Sequence, residues 1–78
     1  MQWVHDGDVA WGTDGNQDIG VAAEVRCYNT ERVHYSVTLI QYDNEIRSVV
    51  RAGWVDDIQQ GKDVAEEVAA RILAADAN

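Results

Sequence analysis

The chain has 78 residues, 46% of them apolar, with one cysteine, no proline and a formal net charge of −8. This length makes one domain, residues 1–78, near the size below which a single core is only marginally sufficient. No apolar run approaches the ~20 residues that span a bilayer, and "MQWVHDGD" lacks the basic and apolar regions of a signal peptide, so the expectation is a protein that neither spans a membrane by a helix nor is exported.

Lone Cys27 cannot form an internal disulfide, so a reducing cytoplasm is the expected compartment. The charge is unevenly spread. Residues 1–18 hold Asp6, Asp8, Asp14 and Asp18 and no Lys or Arg, and residues 56–78 hold six acids against Lys62 and Arg71. Between them, Glu24, Glu31, Asp43 and Glu45 balance Arg26, Arg32, Arg47 and Arg51. Such a field repels nucleic acid and anionic membrane and attracts basic protein surfaces. The same acidity also serves solubility or a salty cytoplasm.

The N-terminal "QWVHDGDVAW" reads as a small hairpin turning at Asp6-Gly7, or as one irregular edge strand, followed by a loop "GTDGNQD". Three segments then alternate with period two, the mark of half-buried strands. Ile19, Val21, Ala23, Val25 and Cys27 share one face, as do Val33, Tyr35, Val37 and Leu39, and then Ile46, Ser48, Val50, Ala52 and Trp54. A three-residue loop Asn29-Thr30-Glu31 pairs Val25 with Tyr35 and Cys27 with Val33. A two-residue turn at Asp43-Asn44 pairs Leu39 with Ser48, Val37 with Val50 and Val33 with Trp54.

The last segment has helical spacing. Val64, Ala65, Val68, Ala69, Ile72 and Leu73 fall in one stripe, with Glu66, Glu67 and Arg71 away from it. Asp63 followed by Glu66 reads as an N-cap and its capping-box partner, with Gly61 as a break after a short turn at Asp56-Asp57. The expected fold is α+β. It is a three-stranded antiparallel meander, extended at most by an N-terminal hairpin, with one C-terminal helix packed on one face. Trp3, Trp11 and Trp54 are expected to fill the core.

Chemistry-bearing patterns are sparse. Asp14, Asn16 and Asp18 have the first spacings of an EF-hand loop, but its glycine and its bidentate glutamate positions are Ile19 and Val25. Cys27 alternates with the core set and His34 with the opposite face, so they make no nucleophile–base pair, and His5 has no assignable partner. No phosphate loop or zinc spacing occurs. The expectation is a non-enzymatic protein with no metal and no cofactor.

The segment "GKDVAEEVAARIL" after three strands resembles the C-terminal part of a double-stranded-RNA-binding domain, onto which Lys62, Ala65, Ala69, Ala70 and Leu73 can be laid. Asp63 and Glu66 stand where that family carries phosphate-binding lysines, and its N-terminal helix is missing. Phosphate binding by this helix is excluded electrostatically, and the family's function is not carried over.

Two functions remain. In the first, acids Asp56, Asp57, Asp63, Glu66 and Glu67 dock on a partner protein with a basic, nucleic-acid-binding surface. Phage inhibitors of restriction or CRISPR systems share this size and acidity, an analogy of charge alone. In the second, Arg26, His34, Arg47, Arg51, Tyr28 and Tyr42 on the outer sheet face bind single-stranded nucleic acid by stacking and phosphate contacts, which the net charge disfavours. A homodimer with Ile40 and Val49 at its seam is compatible with either.

Overall fold

The computed structural model describes residues 1–29 and 31–76. In chain order come β1 (Gln2–Asp6), β2 (Val9–Gly15), β3 (Ile19–Asn29), β4 (Arg32–Gln41), β5 (Ile46–Val55) and α1 (Ile58–Asp76). The strands form one antiparallel sheet in the order β1-β2-β3-β4-β5, and α1 packs on one face, chiefly against β4 and β3. The class is α+β, but the sheet has five strands, which corrects the expected three-stranded meander. Among the described residues no helix is long and apolar enough to cross a membrane.

The two extra strands come from the N-terminal segment. Trp3 pairs with Gly12 on the helix-facing side, where a Cβ on Gly12 would stand 2.9 Å from the Trp3 ring. Glycine there makes room for the indole, and it also hides the alternation that would have marked β2 as a strand. Residues 12–15, expected as loop, pair instead with 20–23 of β3.

The β3–β4 register pairs Val25 with Tyr35 and Cys27 with Val33, as the spacing predicts. Thr30, in the expected loop, lies outside the described residues. The β4–β5 connection is four residues, 42–45, rather than two, with Gln41 opposite Ile46 and Glu45 at a left-handed φ of 57°. Leu39 still pairs with Ser48. The register then slips, because Thr38 faces Val49 while Val37 faces Arg51. One extra residue, Val50, forms a β-bulge, and every side chain beyond it changes face. Trp54 therefore lies beside His34 on the outer face, and Arg51 beside Val37 on the helix side, each opposite to the expectation.

The helix also begins earlier than expected. Asp57 is its cap, with Oδ1 accepting from the Gln60 N–H at 2.7 Å, while Gln60 Oε1 accepts from the Asp56 N–H at 2.8 Å. Asp63 is thus inside the helix, where it accepts from Gln59. Gly61 is no break. It is buried against β3 and β5, and a Cβ there would sit 2.7 Å from Val25 Cγ1.

The core between the layers is built from small residues. Ala10, Val21, Ala23, Val25, Val33, Tyr35 and Val37 of the sheet meet Ala65 and Ala69 of α1. Burying each valine contributes about 1.5–2 kcal/mol. Trp3, Val55, Ile58, Val64, Val68, Ile72 and Leu73 close the rim.

Two substitutions test this packing. Gly61→Ala in an exposed helix would stabilise by about 1 kcal/mol; here the methyl meets Val25, and urea denaturation is expected to show a loss of about 1–3 kcal/mol. Glu45→Gly removes the left-handed strain of the β4–β5 loop and is expected to raise stability by about 0.5–1 kcal/mol. A loss at Glu45→Gly would show that this backbone conformation is not the one adopted in solution.

Candidate functional site

Two surfaces carry the predicted site residues, one on each layer. On the helix layer, Asp56, Asp57, Asp63, Glu66 and Glu67 are all exposed. They are not equally free. Asp57 caps α1, Asp63 accepts from Gln59 Nε2 at 2.9 Å, and Glu67 pairs with Arg71 at 2.6 Å. Glu66 Oε1 accepts from Trp3 Nε1 at 2.6 Å. Beside it the Lys62 ammonium lies 5.3 Å from the centre of the Trp3 ring and 3.1 Å from His5 Nε2. An ammonium only donates, so His5 Nε2 accepts. This clasp fixes β1 to the helix and gives His5 a structural partner.

On the outer sheet face the predicted set divides. Arg26, Tyr28 and His34 gather at one end, and Arg47 with Ile40 and Tyr42 at the other, roughly 20 Å away on strand spacing. Arg51 is not on this face: it lies across from Val37, and its Nε donates to the Tyr35 hydroxyl at 3.2 Å. Two residues missed in the sequence replace it. Trp54 stands 4.9 Å from His34 edge-on and 5.7 Å from Tyr28, and the Arg32 guanidinium covers its ring at 4.3 Å. Cation–π contacts of this kind contribute about 0.5–1 kcal/mol at exposed sites. Gly53 was the available signal for the bulge that exposes Trp54, because a glycine inside a strand pattern marks irregular pairing. It lies against the Tyr35 ring.

Arg26 reaches from that end toward the centre of the face, where its Nε donates to Glu24 Oε1 at 2.8 Å. That hydrogen bond, with the carboxylate's charge, holds the Arg26 pKa above its ordinary value. Trp11 and Val4 stand next to Glu24 on β2 and β1. Trp11 and Trp54, expected in the core, are 40% and 54% exposed.

The remaining candidates are absorbed by local structure. Asn16 Oδ1 accepts from the Asp18 and Ile19 N–H groups, and Asn16 Nδ2 donates to Asp76, so Asn16 makes a turn that ties down the end of α1. Asp14 accepts from the Gly15 N–H. Half-buried Cys27 donates to the Asn29 carbonyl. An open cleft of about 500 Å³ beside this turn is lined by the carboxylates of Asp18, Asp43 and Asp76, the amides of Gln17 and Gln41, Ile19 and Tyr42.

The placement of Trp54 can be checked by stability alone. Trp54→Thr is expected to cost no more than about 1 kcal/mol, as exposed substitutions do, while Val37→Ala in the buried row is expected to cost about 2–3 kcal/mol. A cost of 3 kcal/mol or more at Trp54, typical of a core tryptophan, would restore the unbulged register.

Comparison of the chain with protein-family models, with curated proteins and with solved structures gives no match.

Proposed function

We propose that the protein is a small non-enzymatic docking module whose acidic helix layer engages the basic, nucleic-acid-binding surface of a partner protein, in the manner of an inhibitor that offers carboxylates in place of phosphates. The observation that carries this reading is the segregation of charge between the two layers. Six carboxylates and two cations lie from Asp56 to Asp76, all of them on or leading into α1. The outer face has Arg26, Arg32 and Arg47 against Glu24 and Asp6. The helix layer is therefore anionic and the outer sheet face near neutral, with Asp8, Asp18, Glu31, Asp43 and Glu45 in the turns at the two ends of the sheet. An anionic side steers toward a cationic partner and away from nucleic acid. A reducing cytoplasm is the setting expected for such an encounter, with Cys27 as a thiol.

A second reading is favoured by one observation, the Arg32–Trp54–His34–Tyr28 cluster. Exposed aromatics interleaved with cations are the elements of a single-strand stacking platform. One face of Trp54 is already covered by Arg32, and the net charge of −8 opposes approach of a polyanion. The acidic reading therefore ranks first.

The two separate cleanly in a capture experiment on immobilised protein, using nuclease-treated lysate of its source cells and duplex DNA as competitor. The expected outcome is a stoichiometric basic protein that DNA releases. Reversing Asp63 and Glu67 to lysine should weaken capture about tenfold or more, with Arg26→Ala retaining it. Failure of the reversed variant to lose binding, at unchanged circular dichroism, refutes the acidic reading.

A further inference from the structure

The outer face of the sheet has no covering layer, since α1 packs on the other side. A lone sheet face that meets only water is normally polar. This one exposes Val4 (64%), Trp11 (40%), Val49 (65%) and Trp54 (54%), spread from β1 to β5. Cross-strand rows describe its pattern. One row runs Val4, Trp11, Glu24, Ser36 and Ala52, and the next runs Asp6, Val9, Arg26, His34 and Trp54. Each row has one charged residue on the central strand β3, acid in the first and base in the second.

We propose that this face binds a second copy of the chain, sheet against sheet, about a two-fold axis lying across the strands between the Glu24 and Arg26 rows. Such an axis reverses strand direction and exchanges the two rows. Glu24 of one copy then stands over Arg26 of the other, and the reciprocal pair forms at the same time, the self-complementarity that an isologous interface requires. The exchange also sets a large residue over a small one, with Trp54 over the exposed Ala52. An axis along the strands would instead oppose Glu24 to Glu24, a like-charge contact that is unfavourable.

Charge decides which occupant fits. The chain carries −8, so two copies repel on most approaches, and the helix layer is the worst of them. The outer face carries little net charge and is where a second copy can approach closely. A polyanion meets the opposing field of the whole molecule there. Edge-to-edge pairing is blocked on both sides: β1 has only five residues and ends in Asp6, while β5 is bulged and bears Arg47 and Arg51. The area is adequate. Five strands about 4.8 Å apart, with rows of matching length, give a face of roughly 600 Å² in projection, which side-chain relief brings toward the ~800 Å² per partner of stable interfaces. The resulting dimer turns both acidic helix layers outward. The proposal stands on the sheet face and does not depend on what the helix layer binds.

The test is sedimentation equilibrium of the full chain and of charge-swapped variants. The unmodified protein is expected to be a dimer, more tightly so at high salt, where repulsion between the copies is screened. Glu24→Arg and Arg26→Glu should each raise the dimer dissociation constant about tenfold or more, and the double exchange E24R/R26E should restore it, because both the internal and the crossed pairs are then reformed. Thermal melts of each variant monitored by circular dichroism confirm that it is folded. Val49→Lys, on the rim of the face and away from the charged pair, should also weaken the dimer. A single-chain mass at the highest attainable concentration overturns the proposal, as does a dimer indifferent to Glu24→Arg. A monomer that binds fluorescent oligo(dT), and loses it with Arg26→Ala, overturns it in favour of a nucleic-acid face.

Discussion

The close seating of α1 on β3 and β4 is the contact on which the other features depend. Gly61, Ala65 and Ala69 present almost no side chain at the contact, so helix backbone and sheet approach closely over fully buried Val21, Val25 and Val37. Close approach leaves no room for bulky residues between the layers, which is why the cluster there, among the described residues, consists of valines and alanines with one buried ring, Tyr35. It also limits coverage. One helix about 10 Å across shields roughly two strand spacings of a five-stranded sheet. The flanks need other cover, and on the β1 side Trp3 supplies it, anchored to α1 by Glu66 and Lys62. The large aromatics that cannot enter the core, Trp11 and Trp54, stand on the far side of the sheet.

The bulge at Val50 decides which residues reach that far side. Before it, β5 follows the alternation of β4; after it, inside and outside exchange. Without the extra residue, Trp54 would press toward the helix where only small side chains fit, and Arg51 would leave Tyr35. With it, Gly53 lies against the Tyr35 ring, and the Tyr35 hydroxyl accepts from Arg51 across the edge strand. The bulge thus removes a tryptophan from a core too shallow for it, gives the buried tyrosine a hydrogen-bond donor, and breaks the regularity of an exposed sheet edge.

Where side-chain period alone fixes structure, the sequence was sufficient. Strands β3 and β4 and their mutual register follow from unbroken alternation, and the Ala65–Ala69 stripe from helical spacing. Misreadings cluster at glycines. Gly12 occupies an inward position of β2, Gly53 follows the bulge in β5, and Gly61 sits inside the first turns of α1. In each place glycine was needed for close approach to a neighbour, a tertiary requirement that a one-dimensional pattern records only as a gap. The helix start moved for a related reason: Asp57 and Asp63 are both plausible caps locally, and only the fit of Gly61 against Val25 selects the earlier one. For the candidate surfaces, the acids of the helix layer were legible because an exposed helix face needs no register. The sheet-face set was only half legible, because one extra residue exchanged Arg51 for Trp54.

Fold and surface character are therefore linked through the same few positions. A helix held close by glycine and alanine must turn its longer polar residues to water, and in this chain those residues are chiefly carboxylates. Their mutual repulsion works against compactness, in a molecule whose small core gives limited stabilisation. Lys62 and Arg71 offset part of it, Lys62 by reaching toward Trp3 and His5 and Arg71 by pairing with Glu67. The outer sheet face bears the opposite imbalance, with exposed apolar area and little net charge to keep copies apart. Each layer is left with what the other lacks: the helix layer has charge without a counter-surface, and the sheet layer has apolar surface without a cover. A cationic partner on the first and a second chain on the second would relieve both, and neither contact would obstruct the other, because the two surfaces lie on opposite sides of one sheet.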